Sequence, residues 1–249
     1  MSQISGHADN HKTEGCLIPS SQWGSCVLAN VELIKANLLD IETKIAPCKP
    51  VIIGVTKYFG ADAIVKGYEA GLRNFGESRA KDAIEKIESL PEEVRKNSTF
   101  HFIGHLQTNK VEKVIQVFDY IQSVDSLKLA KAISDKACQL NKRERILLQV
   151  NLSEEEQKYG YSIEGLKKDL KEILNLPSIE VKGLMCMAPL NAMENELSNL
   201  FKHLKELKLE LEGEFNIELP ELSMGMSNDY EIAVKEGATM IRIGRKLFK

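Results

Sequence analysis

The chain has 249 residues, 43% of them hydrophobic and 28% charged, which excludes disordered and collagen-like classes and suits one barrel-sized globular unit. Lysine and arginine number 33 against 36 acids, and the net charge of −3 gives no bulk attraction for nucleic acid or anionic membranes. The five cysteines (Cys16, Cys26, Cys48, Cys138, Cys186) form no CxxC pair and no HExxH occurs, so reduced thiols and no clustered metal site are predicted.

Residues 1–26 are polar and without a hydrophobic period, and are predicted as a loosely ordered extension. They lack the apolar run of a secretory signal and the arginines of a transit peptide, and no stretch reaches the ~20 apolar residues that span a bilayer. A cytoplasmic, monomeric protein is expected. From Val27 the apolar residues fall at helical spacing (Val31, Ile34, Leu38, Ile41, Ile45), and Pro47 and Pro50 stop that helix.

Short apolar runs then recur: VIIGVTK (51–57), RNFGES (73–78), TFHFIGH (99–105), YIQSVD (120–125), RILLQVN (145–151), IEVKGLMCM (179–187), ELSMG (221–225) and MIRIGR (240–245). Segments of helical period separate them. The clearest spans 191–212, with Leu197, Leu200, Phe201, Leu204, Leu207 and Leu211 on one face and a capping box read at Asn191 and Glu194. Eight strands alternating with helices predict parallel βαβ units, and eight such units fit a closed (β/α)8 TIM barrel over 27–249 as one domain. Several strands are apolar on successive residues, as strands covered on both faces are.

In such a barrel the chemistry belongs at the carboxyl ends of the strands. Lys57 closes VIIGVTK. An amine there, partly withdrawn from water, keeps more of the neutral form that attacks carbonyls, although strand-end lysines also commonly just reach for solvent. SMGMSND (223–229) and RIGR (242–245) set glycines and Ser227 at two turns where backbone N–H groups can face a phosphate, or where ordinary capping suffices. His105 ends the third strand, and Glu77 and Asn151 are polar residues near other strand ends. His101, at a strand's start, is expected at the opposite rim and receives no chemistry. The methionines 185, 187, 224 and 226 read as packing residues, and EEEQK (154–158) as a solvated loop. A lysine with a phosphate cradle leaves three readings open. They are a covalently held aldehyde-phosphate cofactor, a class I Schiff-base aldolase using Lys57 or Lys182, and a noncatalytic phosphate-binding barrel.

Several strand-end segments together resemble one family. They are VTK (55–57), NFGES (74–78), HFIGHLQTNK (101–110), SVDS (123–126), LLQVN (147–151), KYG (158–160), GLMCMAP (183–189), LSMGMSND (222–229) and MIRIG (240–244). Over about 28–248 the chain is similar to the pyridoxal phosphate homeostasis proteins. The resemblance implies a fold-type III barrel like the N-terminal domain of alanine racemase, with pyridoxal 5′-phosphate (PLP) on a lysine Schiff base. By motif, Lys57 would be that lysine and Arg242 would face the pyridine nitrogen. Ser227, Gly244 and the backbone of Arg245 would hold the phosphate, and Asn74 would line the ring pocket. The family is associated with PLP and amino-acid homeostasis, so the implied partners are PLP and PLP-dependent apoenzymes. The alternative is a minimal PLP-dependent racemase or decarboxylase, against which stands the lack of the second domain that supplies the opposing acid or base in alanine racemase-like enzymes.

Four positions depart from the family pattern: Tyr58 after the lysine, Ser78 where Asn is usual, Arg245 where Ser or Thr is usual, and the LFK ending. Arg245 removes a hydroxyl from the phosphate site. Either its amide then suffices or its guanidinium pairs with the phosphate.

Overall fold

A computed structural model describes residues 30–153, 159–189 and 191–249. The extension at 1–26, the EEEQK loop and Lys158 of the KYG motif lie outside them. Eight parallel strands close into a barrel in the order β1 to β8, β8 pairing with β1. They are β1 (Val51–Val55), β2 (Asn74–Glu77), β3 (Thr99–Phe102), β4 (Tyr120–Val124), β5 (Glu144–Gln149), β6 (Ile179–Met185), β7 (Glu221–Met226) and β8 (Met240–Ile243). Each lies within or beside a run predicted from the sequence, and most stop short of its carboxyl end. The polar residues that close the runs therefore stand on the rim loops.

Helices cover the outside: α1 (Val31–Ile45), α2 (Ala61–Glu69), α3 (Ala80–Glu88), α4 (Glu92–Lys96), α5 (Val111–Val117), α6 (Leu127–Gln139), α7 (Ile163–Leu174), α8 (Glu194–Phe215), α9 (Tyr230–Lys235) and α10 (Arg245–Phe248). The main core lies between this layer and the sheet, where Ile34, Ile41, Phe75, Phe100, Leu166 and Phe201 are all buried. Every residue of β4 and of β8 is buried, the polar Gln122, Ser123 and Arg242 among them, because both faces of these strands are covered. A smaller cluster fills the inside of the barrel: Ile53, Tyr120, Leu147, Met185 and Met240, with Val51 against it. Among the described residues no helix is long and apolar enough to cross a membrane.

Helix α1 begins at Val31, where Asn30 Oδ1 accepts the Glu32 N–H at 3.1 Å and caps the first turn; Val27 lies outside the described residues. One helix start differs from expectation. Helix α8 begins at Glu194, two residues beyond the start that a box at Asn191 requires. Glu196, not Glu194, reaches back to accept the Met193 N–H at 2.8 Å, and the buried stripe opens four residues after that cap, at Leu197. The helix ends at Asn216, which takes the left-handed conformation common at helix ends.

Candidate functional site

Barrel closure brings three distant stretches of sequence to one sector of the rim. Lys57 lies two residues beyond β1, Ser227 one residue beyond β7, and Gly244 directly after β8, with Arg245 opening α10. The Ser227 hydroxyl accepts the Gly244 N–H at 3.3 Å, joining the two turns. A Cβ on Gly244 would stand 3.4 Å from the Val55 carbonyl oxygen, so β1 and the β8 turn are in close contact just below Lys57. The β7 turn is shaped by its own residues. The Asp229 carboxylate accepts the Met226 N–H across it. Gly225 has φ +90, and a Cβ there would lie 2.6 Å from the Ala233 Cβ, so only glycine lets α9 close onto β7 at this angle.

Lys57 is partly buried, with its Nζ 5.1 Å from the centre of the exposed Tyr58 ring. The peptide that carries it is anchored from below. Thr56 Oγ1 donates to the Glu77 carboxylate at 2.7 Å, and Lys86 Nζ donates to the same carboxylate at 2.6 Å and to the Thr56 carbonyl at 2.9 Å. Glu77 and Thr56 are fully buried, and a buried ion pair that also satisfies a main-chain carbonyl fixes the chain just before the lysine.

Arg242 projects into the barrel and is 4% exposed. Its Nη1 donates to Ser223 Oγ at 2.6 Å and its Nη2 to the Cys186 carbonyl at 2.7 Å. Among the described residues no carboxylate forms an ion pair with it. Burial pulls the guanidinium below its ordinary pKa, opposed by the nearby Asp229 carboxylate, and burial raises Asp229 in turn. A guanidinium yields its proton only at extreme pH, so the site keeps a buried cation held by neutral acceptors. Such a charge is costly alone and favours a ligand that brings an acceptor or an anion. The donor set suits a flat heteroaromatic ring with a phosphate arm: an amine at the rim, a hydroxyl and turn amides for the phosphate, and a guanidinium beneath for a ring nitrogen.

The other predicted residues fall elsewhere. Asn74 is not at this rim. It is the first residue of β2, toward the amino ends of the strands, and its Oδ1 faces His101 Nε2 at 3.0 Å. The residue of that segment placed beyond the carboxyl end of β2 is Ser78, partly buried against Gly104. Lys182 sits in mid β6, three residues short of the strand's end, paired with Glu180 at 2.8 Å. That position removes it as an imine-forming lysine. His105 stands beyond β3, its ring stacked on Tyr159 with centres 3.9 Å apart and its Nδ1 3.2 Å from Asp125 Oδ2. Cys186 is buried, which pushes its thiol up to about 12 and leaves it unreactive.

His101 contradicts the expectation placed on it. It is the third of four residues in β3, 1% exposed, and turned into the barrel, not out to a rim. Sequence reasoning also missed Gln122, Ser223 and Lys86. The signal for the first two was present: a polar residue inside an otherwise apolar strand, in YIQSV and ELSMG, needs a partner in the interior.

Known proteins resemble this chain in sequence and in fold. The chain matches the family model described as alanine racemase, N-terminal domain, over residues 29–249. A pyridoxal phosphate homeostasis protein of Synechocystis sp. is 41% identical over 197 residues, covering 79% of this chain and 89% of the relative. The protein of the same name from Aquifex aeolicus is 39% identical and covers 79% and 85%. Among solved structures, PipY of Synechococcus elongatus without PLP superposes with a TM-score of 0.82 at 37% identity, over 87% of this chain and all of that one. PipY with PLP bound gives 0.79 at 36% identity. An alanine racemase of Clostridium difficile, at 16% identity and a TM-score of 0.69, shares the fold over 57% of its length.

Proposed function

The chain belongs to the pyridoxal phosphate homeostasis protein family, and we propose that it holds PLP covalently on Lys57 where β7, β8 and β1 meet. One observation carries this reading: the Ser227–Gly244 hydrogen bond joins the β7 and β8 turns beside Lys57, and β8 carries the buried Arg242, which forms no ion pair among the described residues. PLP bound there would supply an aldehyde for condensation with an amine. Lys57 would provide that amine, Ser227, Gly244 and the Arg245 amide would hold the phosphate, and Arg242 would face the ring nitrogen. Asn74 is left out of this set because of its place at the opposite end of β2.

We read the protein as a cytoplasmic holder of the cofactor, a single unit over 27–249, acting as a monomer toward PLP and PLP-dependent apoenzymes. Arg242 argues against efficient carbanion chemistry. A donor that retains its proton leaves the ring nitrogen unprotonated, and such a ring is a weak electron sink. Amino acids incubated with the loaded protein in deuterated water should therefore exchange their α-protons little, and rapid exchange would favour a racemase-like enzyme.

The direct test is the visible spectrum before and after borohydride, followed by peptide mapping. Purified protein should be yellow, with the reduced cofactor on the peptide containing Lys57. Lys57→Ala should lose the borohydride-fixed cofactor completely while keeping weaker, phosphate-anchored binding. A protein that stays colourless in excess PLP, or an unchanged affinity in Lys57→Ala, overturns the covalent assignment.

A further inference from the structure

Arg242 is the first member of a row of side chains that crosses the barrel interior. Its Nη1 reaches Ser223 Oγ at 2.6 Å, Ser223 Oγ reaches Gln122 Oε1 at 2.7 Å, and Gln122 Nε2 reaches His101 Nδ1 at 3.0 Å. His101 Nε2 then meets Asn74 Oδ1 at 3.0 Å. The five residues come from β8, β7, β4, β3 and β2. His101, Gln122, Ser223 and Arg242 are buried, and the His101 ring is stacked on Tyr120.

The direction of this row follows from its first member. A guanidinium has donors and no acceptor, so Ser223 accepts from it and turns its own hydrogen toward Gln122. That orients the Gln122 amide, oxygen to Ser223 and NH2 to His101. The Nδ1 of His101 is then bare, its one proton sits on Nε2, and Asn74 Oδ1 accepts it. Each member donates to the next. Burial keeps the His101 imidazole neutral, its pKa pushed down to about 3. A second proton would put two donors face to face at Gln122.

Every member after Arg242 is uncharged. A carboxylate in place of Ser223 would hold the guanidinium as firmly but cancel much of its charge. Neutral partners fix the orientation and leave the charge for the ligand, and bonds that point one way polarise each other. We propose that Ser223, Gln122 and His101 are positioning residues that aim the Arg242 guanidinium at the cofactor's ring nitrogen through this one-way row of donors. The proposal rests on PLP lying over Arg242, as set out above.

The test uses the full chain loaded with PLP labelled with 15N in the ring, read by the ring-nitrogen resonance across pH and by PLP affinity. Ser223→Ala removes the acceptor of Nη1. It should weaken PLP binding about tenfold and move the resonance toward that of a ring nitrogen bound only to water. Ser223→Thr, which keeps the hydroxyl, should restore both. Asn74→Ala, at the far end, should move the resonance the same way by less. A lowered melting temperature alone does not count, since any core defect gives one. A wild-type resonance in Ser223→Ala overturns the proposal. If that variant does not fold, Gln122→Met is read against the same two outcomes. Wild-type protein without borohydride-fixed cofactor would instead sink the binding reading itself, a different result from an unmoved resonance in a loaded variant.

Discussion

Two sets of side chains share the barrel interior and meet on two of its strands, β4 and β8, yet they follow different rules. Ile53, Tyr120, Leu147, Met185 and Met240 fill space. Arg242, Ser223, Gln122, His101 and Asn74 run between them and are defined by direction. In the apolar set any well-shaped hydrophobic residue does similar work, because dispersion and burial have no preferred orientation. In the polar set each residue type fixes what its neighbour must donate or accept, so one replacement propagates. These two strands supply both: Tyr120 and Gln122 lie two apart on β4, and Met240 and Arg242 two apart on β8.

The largest expected effect separates the sets by what they damage. Leu147→Ala empties fully buried volume and should cost about 2–5 kcal/mol of stability in denaturant unfolding. The borohydride-fixed cofactor on Lys57 and the ring-nitrogen resonance should stay as in the wild type. A resonance that shifted as in Ser223→Ala would mean that the sets are not separable and that packing, not hydrogen-bond direction, aims Arg242.

The next effect is a pH dependence with two opposing signs. The folded chain holds His101 at about 3 against an ordinary 6.5, so the unfolded chain takes the proton first. Its contribution is complete above pH 6.5 and is lost as pH falls toward 3, by about 1.4 kcal/mol per pH unit. Glu144, at the start of β5, is fully buried, and burial lifts its carboxyl to about 7 from 4.5 in spite of Lys142 Nζ at 2.9 Å. That lysine also donates to the carbonyls of Ile115 and Phe118, and neither carboxylate oxygen receives a well-formed hydrogen bond. A raised acid acts in reverse. Its contribution is complete below pH 4.5 and is lost as pH rises toward 7, at a similar slope. Between pH 4.5 and 6.5 the two slopes oppose each other. Glu144→Gln should therefore expose a stability that falls with acidification, and His101→Gln one that falls as pH rises. Urea midpoints measured from pH 4 to 8 would decide, and parallel profiles in the two variants would contradict the assignment.

The same contrast explains what could be read from the sequence. The apolar set is a period, and periods survive without three-dimensional information, so all eight strands and the sector of Lys57, Ser227 and Gly244 were legible. Partnership does not survive. His101 and Gln122 are 21 positions apart, and Gln122 and Ser223 are 101 apart. Only barrel closure makes them neighbours. His101 was misplaced because a polar residue near the start of a short strand looks like a rim residue until its register shows it pointing inward. Asn74 was misplaced for a related reason. The motif that resembles the family carries it at the strand's first residue, whereas the rim lies beyond the strand's last, at Ser78. The start of α8 slipped because Glu194 and Glu196 can each complete a capping box, and only the backbone decides which does.

The smallest expected effect compares two arginines three residues apart. Arg242 is buried and held at both terminal nitrogens, while Arg245 is exposed and forms no ion pair among the described residues. A guanidinium in water reaches a phosphate only through a screened field, with a screening length of about 8 Å at physiological salt. It also sacrifices side-chain freedom to do so. Arg245→Ser should thus change PLP affinity by less than about threefold, and the difference should vanish at high salt. The Arg245 amide, at the first turn after Gly244, is kept in that variant, and with it the backbone donor that we propose for the phosphate. A loss above tenfold that persisted at high salt would show the guanidinium pairing directly with the phosphate. It would also move Arg245 from the screened surface into the directed set that Arg242 begins.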